Sequence, residues 1–340
     1  MKAVVLNDIN DLVLTKLPTP SPGPGEVLIQ VLACGICGTD RHIYKGEYPS
    51  KKPVVLGHEF GGRITSLGSE VSEFKIGDLV SVDPNIVCGR CEDCLAKRTA
   101  FCPKLTALGV NTHGGLAEYA LVPRTQIYKV PENLNPNYLA FIEPLACTIR
   151  GFDLGNLQGG EKVAILGGGV IGLLAVQLAK LAKAKEIILI TRQSARRETA
   201  LKIGANRAID PNQEDVIKVV KGMDVSFECA GATATFKQAQ QITRRGGSII
   251  VLGLTAQGVE VPISPFDLVI NEHKIQGSYL NPHTQQRAAE LVASGKLQLE
   301  PLISKVVPLA QVPNLLAADP GQGDIKYIVS SQAGAKLNQA

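Results

Sequence analysis

Cys88, Cys91, Cys94 and Cys102 follow the spacing C-x2-C-x2-C-x7-C. Thiols this dense suit a tetrahedral cage of soft ligands around zinc, each sulfur about 2.3 Å from the ion. Val87-Cys-Gly-Arg-Cys-Glu-Asp-Cys supplies three ligands from one tight turn, and Phe101-Cys-Pro closes the cage. The loop has no apolar period of its own, so its order depends on the metal, which contributes directly to folding. The alternatives are a disulfide pair or an iron–sulfur cluster. A single four-cysteine loop in a chain of otherwise cytosolic character favours zinc.

A second motif, Gly167-Gly-Gly169-Val170-Ile171-Gly172, matches G-x-G-x-x-G. It follows the apolar run Val163–Leu166 directly and opens a helical stretch. In that context Gly167 makes the tight turn, Gly169 lets a pyrophosphate approach the backbone, and Gly172 lets helix pack on strand. At the end of the next strand an NAD site places an acid on the ribose hydroxyls, but this chain has Thr191 and Arg192, with Arg196 and Arg197 close behind. Guanidinium groups pair with a 2′-phosphate where an acid would repel it, so NADP is expected in preference to NAD. The alternative is a solvated helix start.

The third constellation is Cys34-Gly-Ile-Cys37-Gly-Thr39-Asp40-Arg41-His42, then Gly57-His58-Glu59, then Phe141-Ile-Glu143-Pro-Leu. A thiolate, an imidazole and a carboxylate from separate loops can hold zinc and leave a fourth position open, as catalytic zinc requires. Cys34-x2-Cys37 is also a candidate redox pair. A thioredoxin-like motif opens a helix after a strand, and the β-rich surroundings argue against that, leaving Cys34 as a packed core thiol. His113, His273 and His283 match no motif and read as structural or surface residues.

The elements that must position these residues divide the chain in two. Twelve of the twenty prolines precede residue 150, among β-branched runs such as Glu26–Leu32 and Ile76–Val82. Proline cannot donate into a central ladder, so this part reads as a β-rich, partly closed barrel-like domain with Pro and Gly at its corners. From about residue 148 strands and helices alternate: Val163–Leu166, a helix Val170–Lys183, Glu186–Ile190, Asp224–Cys229, an amphipathic stretch Thr235–Thr243, and Ser248–Leu252. This α/β alternation predicts a doubly wound parallel sheet, the Rossmann arrangement. A helix over Gln285–Ala293, short strands and a polar, fraying end over 330–340 follow. The expected domains are 1–147 with 281–340, and 148–280.

Bulk properties exclude other classes. At 340 residues the chain suits two domains, and no apolar run approaches the ~18 residues of a membrane span. Lys and Arg exceed Asp and Glu by only 4, interspersed, and Trp is absent, so no basic, base-stacking face for nucleic acid is expected. The start shows no signal-peptide core, so a cytoplasmic location is expected.

The three motifs, in this order and over nearly the whole chain, resemble the medium-chain zinc-dependent alcohol and polyol dehydrogenases. The resemblance implies that Cys37, His58 and Glu143 hold a catalytic zinc, with Glu59 an adjacent acid or temporary ligand. It implies a proton relay through Thr39 and His42, support of the zinc site by Asp40, and Ser278 and Leu280 near the nicotinamide. Glutamate at Glu143 points to the sorbitol and threonine dehydrogenase branches and so towards polyols. The expected activity is reversible oxidation of a secondary alcohol, in a polyol or sugar alcohol, with two zinc ions per chain, hydride transfer to NADP and a homodimer or homotetramer. A threonine-type amino-alcohol dehydrogenase, the zinc-free reductase branch and, in another class, a zinc-ribbon binding module are the competing readings.

Overall fold

The computed structural model describes residues 1–319 and 321–330. Of the polar end expected to fray, all but Ser330 lies outside the described residues. Contacts divide the chain into two compact units, one of Met1–Pro144, Pro282–Leu299 and the segment from Ile303 on, the other of Leu145–Asn281 with Glu300–Leu302.

The first unit is built on a seven-stranded sheet. Its spatial order runs Ile127–Lys129, Leu79–Val82, Glu59–Leu67, Glu26–Gly35, Lys326–Val329, Ile303–Val307, with Tyr119–Pro123 also pairing to Glu26–Gly35. Glu26–Gly35 is buried almost throughout, as its continuous apolar run requires of a central strand. Register decides what meets at its end: Gly35 lies opposite Glu59 on one side and Ile328 on the other. Lys2–Asp8 pairs with Asp11–Lys16 and Val54–Val55 in a smaller sheet. Between the sheets lies a core including Leu6, Ile29, Ile43, Leu56, Phe60 and Ile64, each at most 1% exposed and each contributing roughly 1.5–3 kcal/mol on burial. The run Ile76–Val82 forms a strand only over Leu79–Val82, because Gly77 takes φ +94 in a turn.

The second unit carries the parallel sheet that the alternation predicted. Its order is Arg207–Ile209, Glu186–Ile190, Lys162–Leu166, Met223–Glu228, Thr243–Val251, Lys274–Gly277. All five pairings are parallel. Numbered along this unit the order is 3-2-1-4-5-6, so the chain reverses direction beside the strand that leads into the glycine motif. The helix after it runs Val170–Leu181 and stops short of Lys183, which adopts φ +59.

Candidate metal and dinucleotide sites

The four-cysteine loop is closed at its base by the short antiparallel pair Asn85–Ile86 and Thr106–Ala107. Gly89 makes the turn at φ +68, Cys91 opens the helix Glu92–Leu95, and Cys102 follows the 3-10 turn Thr99–Phe101. All four sulfurs come within 4.8 Å of one another, with Cys88 and Cys94 4.0 Å apart. A tetrahedron with ~2.3 Å bonds sets sulfurs about 3.8 Å apart, so the cage has the size of a zinc site. Its electrostatics agree. Backbone N–H groups of Arg90 and Cys91 pull the Cys88 thiol down to about 6, while desolvation and the neighbouring sulfurs push Cys94 up to about 12. Four thiolates cannot coexist here without a cation to neutralise them. We therefore expect Cys91→Ser to lower Tm by several degrees and to leave one zinc fewer per chain, measured by thermal denaturation and metal analysis.

A second cluster forms where the central strand ends. Cys37 opens the helix Gly38–Tyr44: its sulfur accepts from Thr39 N, and Asp40 reaches back to Cys37 N at 2.9 Å. Gly57 at φ +90 turns the chain so that His58 leads into the next strand, which opens at Glu59, and both residues are buried. Cys37, His58 and Glu59 bring one ligand atom each within 4.8 Å. Asp40, fully buried, faces His58 Nδ1 at 3.4 Å and leaves Nε2 for a metal. Burial pulls the His58 imidazole down, but the charges of Asp40 and Cys37 outweigh it and hold the ring well above its ordinary value. A divalent cation answers that excess of negative charge, so the donor set fits zinc. Glu143, 8% exposed at the start of the helix Ile142–Gly155, lies outside the 4.8 Å group that holds Glu59.

Contrary to the expectation from the β-rich surroundings, Cys37 does open a helix just after a strand, as a redox pair would. What disfavours disulfide chemistry is Cys34 itself. It is fully buried, and burial, reinforced by the Asp40 and Glu59 charges, pushes its thiol well above the ordinary value.

Sequence reasoning overlooked two residues of this cluster. Lys326 is 1% exposed and its ammonium pairs with Glu59. The charges of Glu59, Cys37 and Glu143 outweigh its burial and raise it above the ordinary lysine value. The other is Glu47, whose carboxylate sits 2.6 Å from His42 Nδ1. Neither stands in a motif: a lysine opening an apolar strand and a glutamate five residues from a histidine are unremarked in any sequence.

In the second unit, Gly167 takes φ +114, and a Cβ on Gly172 would meet Gly167 O at 1.9 Å. A Cβ on Gly169 would meet nothing within 4 Å, leaving open space above the first turn of a helix of 12 residues. That space, lined by unpaired N–H groups, fits a pyrophosphate. Thr191 is buried at the end of Glu186–Ile190 and Arg192 is exposed beside it. Arg197 is committed elsewhere: it pairs with Asp210 at 3.0 Å and donates to the carbonyls of Thr191 and Arg192 at 2.8 Å. Arg196 is half-buried in the same helix, Ser194–Ile203. Ser278 N donates to Val251 O at 2.9 Å, just past the edge strand Lys274–Gly277, and Leu280 takes φ +55.

Residues 23–132 match the alcohol dehydrogenase GroES-like domain and residues 170–294 the zinc-binding dehydrogenase domain. Sorbitol dehydrogenase of Bacillus subtilis (strain 168) is 35% identical over 322 residues, 92% of this chain and 91% of that protein. The chain belongs to the zinc-dependent medium-chain alcohol dehydrogenases. L-threonine 3-dehydrogenase of Pyrococcus horikoshii is 37% identical, with 86% of each protein covered. Among solved structures, a zinc-binding dehydrogenase of Sinorhizobium meliloti 1021 bound to NADP shares 44% identity at a TM-score of 0.96, covering 97% of this chain and 98% of that one. Family membership replaces the zinc-ribbon module as an account of the cysteine cage. Among the described residues no helix is long and apolar enough to cross a membrane.

Proposed function

We propose that this dehydrogenase reversibly oxidises a secondary alcohol of a polyol or sugar alcohol, with NADP as hydride acceptor. Two zinc ions are assigned per chain, one held by Cys88, Cys91, Cys94 and Cys102, the other by Cys37, His58 and Glu143 with Glu59 beside it. The observation that carries the reading is the buried convergence of Cys37, His58 and Glu59 behind Asp40. When bound, zinc and the dinucleotide supply Lewis acidity towards an alcohol oxygen and acceptance of hydride.

The chain's own residues do the rest. Asp40 fixes the His58 ring. Thr39, whose hydroxyl lies 3.6 Å from Cys37 Sγ, holds the proton to be released. His42, half-exposed and oriented by Glu47, receives it at the solvent side. We expect His42→Ala to lower kcat roughly a hundredfold at low pH and less as pH rises, because hydroxide replaces the missing base at high pH. A pH–rate profile checks this, and a uniform fall or none would return His42 to the surface.

Arg192, with Thr191 in the place of an acid, is assigned to the 2′-phosphate. The NADP in the Sinorhizobium meliloti structure supports that choice, though Arg197 leaves the contact to Arg192 and Arg196. Ser278 and Leu280 are placed near the nicotinamide, and the enzyme in the cytoplasm as a homodimer or homotetramer, on the family resemblance. The sorbitol dehydrogenase relative and the glutamate at Glu143 favour polyols. The 37% identity to an L-threonine 3-dehydrogenase keeps an amino alcohol as the second reading. A screen of polyols, secondary alcohols and L-threonine, followed by reduced-cofactor absorbance with NAD and NADP in parallel, separates the two.

A further inference from the structure

Lys326 is an unusual residue to find in a core. It is 1% exposed, and a buried ammonium is strongly disfavoured unless a partner neutralises it. The sheet explains how it finds one. Ile328, Gly35 and Glu59 lie side by side across three neighbouring strands, and Lys326 shares a face with Ile328 two residues on. To reach Glu59, the lysine must pass over Gly35. A Cβ at Gly35 would lie 2.2 Å from Glu59 Oε2 and 3.2 Å from Lys326 Nζ, so only glycine leaves room for the pair. The ammonium also donates to Ile36 O at 3.4 Å, which ties it to the backbone just ahead of Cys37.

Glu59 thus has two claimants. One is Lys326; the other is whatever cation Cys37 and His58 hold, since Glu59 offers an oxygen within 4.8 Å of both their ligand atoms. We infer that Lys326 is a positioning residue that keeps Glu59 out of the metal's shell, so that Glu143 completes the protein ligands and one position stays open for substrate. This rests on the catalytic-zinc reading. Without Lys326, a buried and unpaired carboxylate one residue from His58 takes the open position, binding the ion tightly but blocking it.

The test exchanges zinc for cobalt(II) and follows the part of the visible spectrum that Cys37→Ser removes, with azide as an added ligand. In wild type, azide is expected to shift that spectrum. In Lys326→Met the spectrum should differ and ignore azide, chelators should strip the metal about 10- to 100-fold more slowly, and kcat should fall by a similar factor. Lys326→Met with Glu59→Gln should recover the azide response, because the competing carboxylate is gone. Glu59→Gln alone should keep it, which reads the proposal even where Lys326→Met fails to fold. A wild-type spectrum and azide response in Lys326→Met, or loss of the metal in Glu59→Gln, overturns the role of Lys326. A cobalt spectrum that Cys37→Ser leaves unchanged instead overturns the catalytic-zinc reading beneath it.

Discussion

Cys37→Ala should lower kcat/KM by roughly a thousandfold or more while leaving the dissociation constant for NADP within about threefold of wild type. The first figure follows from losing a Lewis acid worth several kcal/mol of charge stabilisation, at about 1.4 kcal/mol per factor of ten. Cys37 is a proposed ligand and also caps the helix that carries Thr39, Asp40 and His42, so its loss is expected to disturb the proposed zinc site, the Asp40 contact and the proposed relay together. The second figure follows because the glycine motif belongs to the other compact unit, with its own sheet and core. Steady-state kinetics and a fluorescence titration of the cofactor check both halves. An equal loss of cofactor binding would mean that the two sites are not separable.

The other large effect concerns cofactor choice. Thr191→Asp combined with Arg192→Ala should turn a preference for NADP into one for NAD, read as the ratio of the two kcat/KM values. A guanidinium on the 2′-phosphate is a charge-assisted contact of about 1.5–3 kcal/mol, or roughly ten- to a hundredfold in affinity. The aspartate adds repulsion towards that phosphate to the lost attraction, so the two substitutions act in the same direction. Arg197→Ala should behave differently. Its guanidinium ties the helix Ser194–Ile203 to Asp210 and to the chain at Thr191 and Arg192, so its removal is expected to weaken both cofactors together. A wild type that already prefers NAD would make Arg192 a solvated surface residue.

The parts of this molecule that were legible in the sequence are those fixed by short-range spacing. Four cysteines in one loop have few ways to lie other than around a common centre, and three glycines between an apolar strand and a helix constrain the turn they make. The alternation that begins with Lys162–Leu166 gave the parallel sheet, because Lys162–Leu166 and Glu186–Ile190, at its centre, are buried on both faces and read as unbroken apolar runs after their first residue. What stayed hidden depends on register between distant segments. Lys326 meets Glu59 only because strands far apart in the chain align at Gly35, and nothing in Lys-Tyr-Ile-Val reports that neighbour. Arg197 looked equivalent to Arg192 by spacing, yet Asp210, on the far side of the next strand, claims it. The helix opened by Cys37 was missed for a different reason: seven residues with glycine and a β-branched threonine in the first turn carry little helix signal, and the capping box with Asp40 supplies it.

The central proposal is a second, catalytic zinc distinct from the one assigned to the cysteine cage. Zinc per chain, measured on purified wild type and on Cys37→Ser, tests this most directly. Two equivalents falling to one is the predicted result, and a single equivalent that Cys37→Ser leaves unchanged would contradict it.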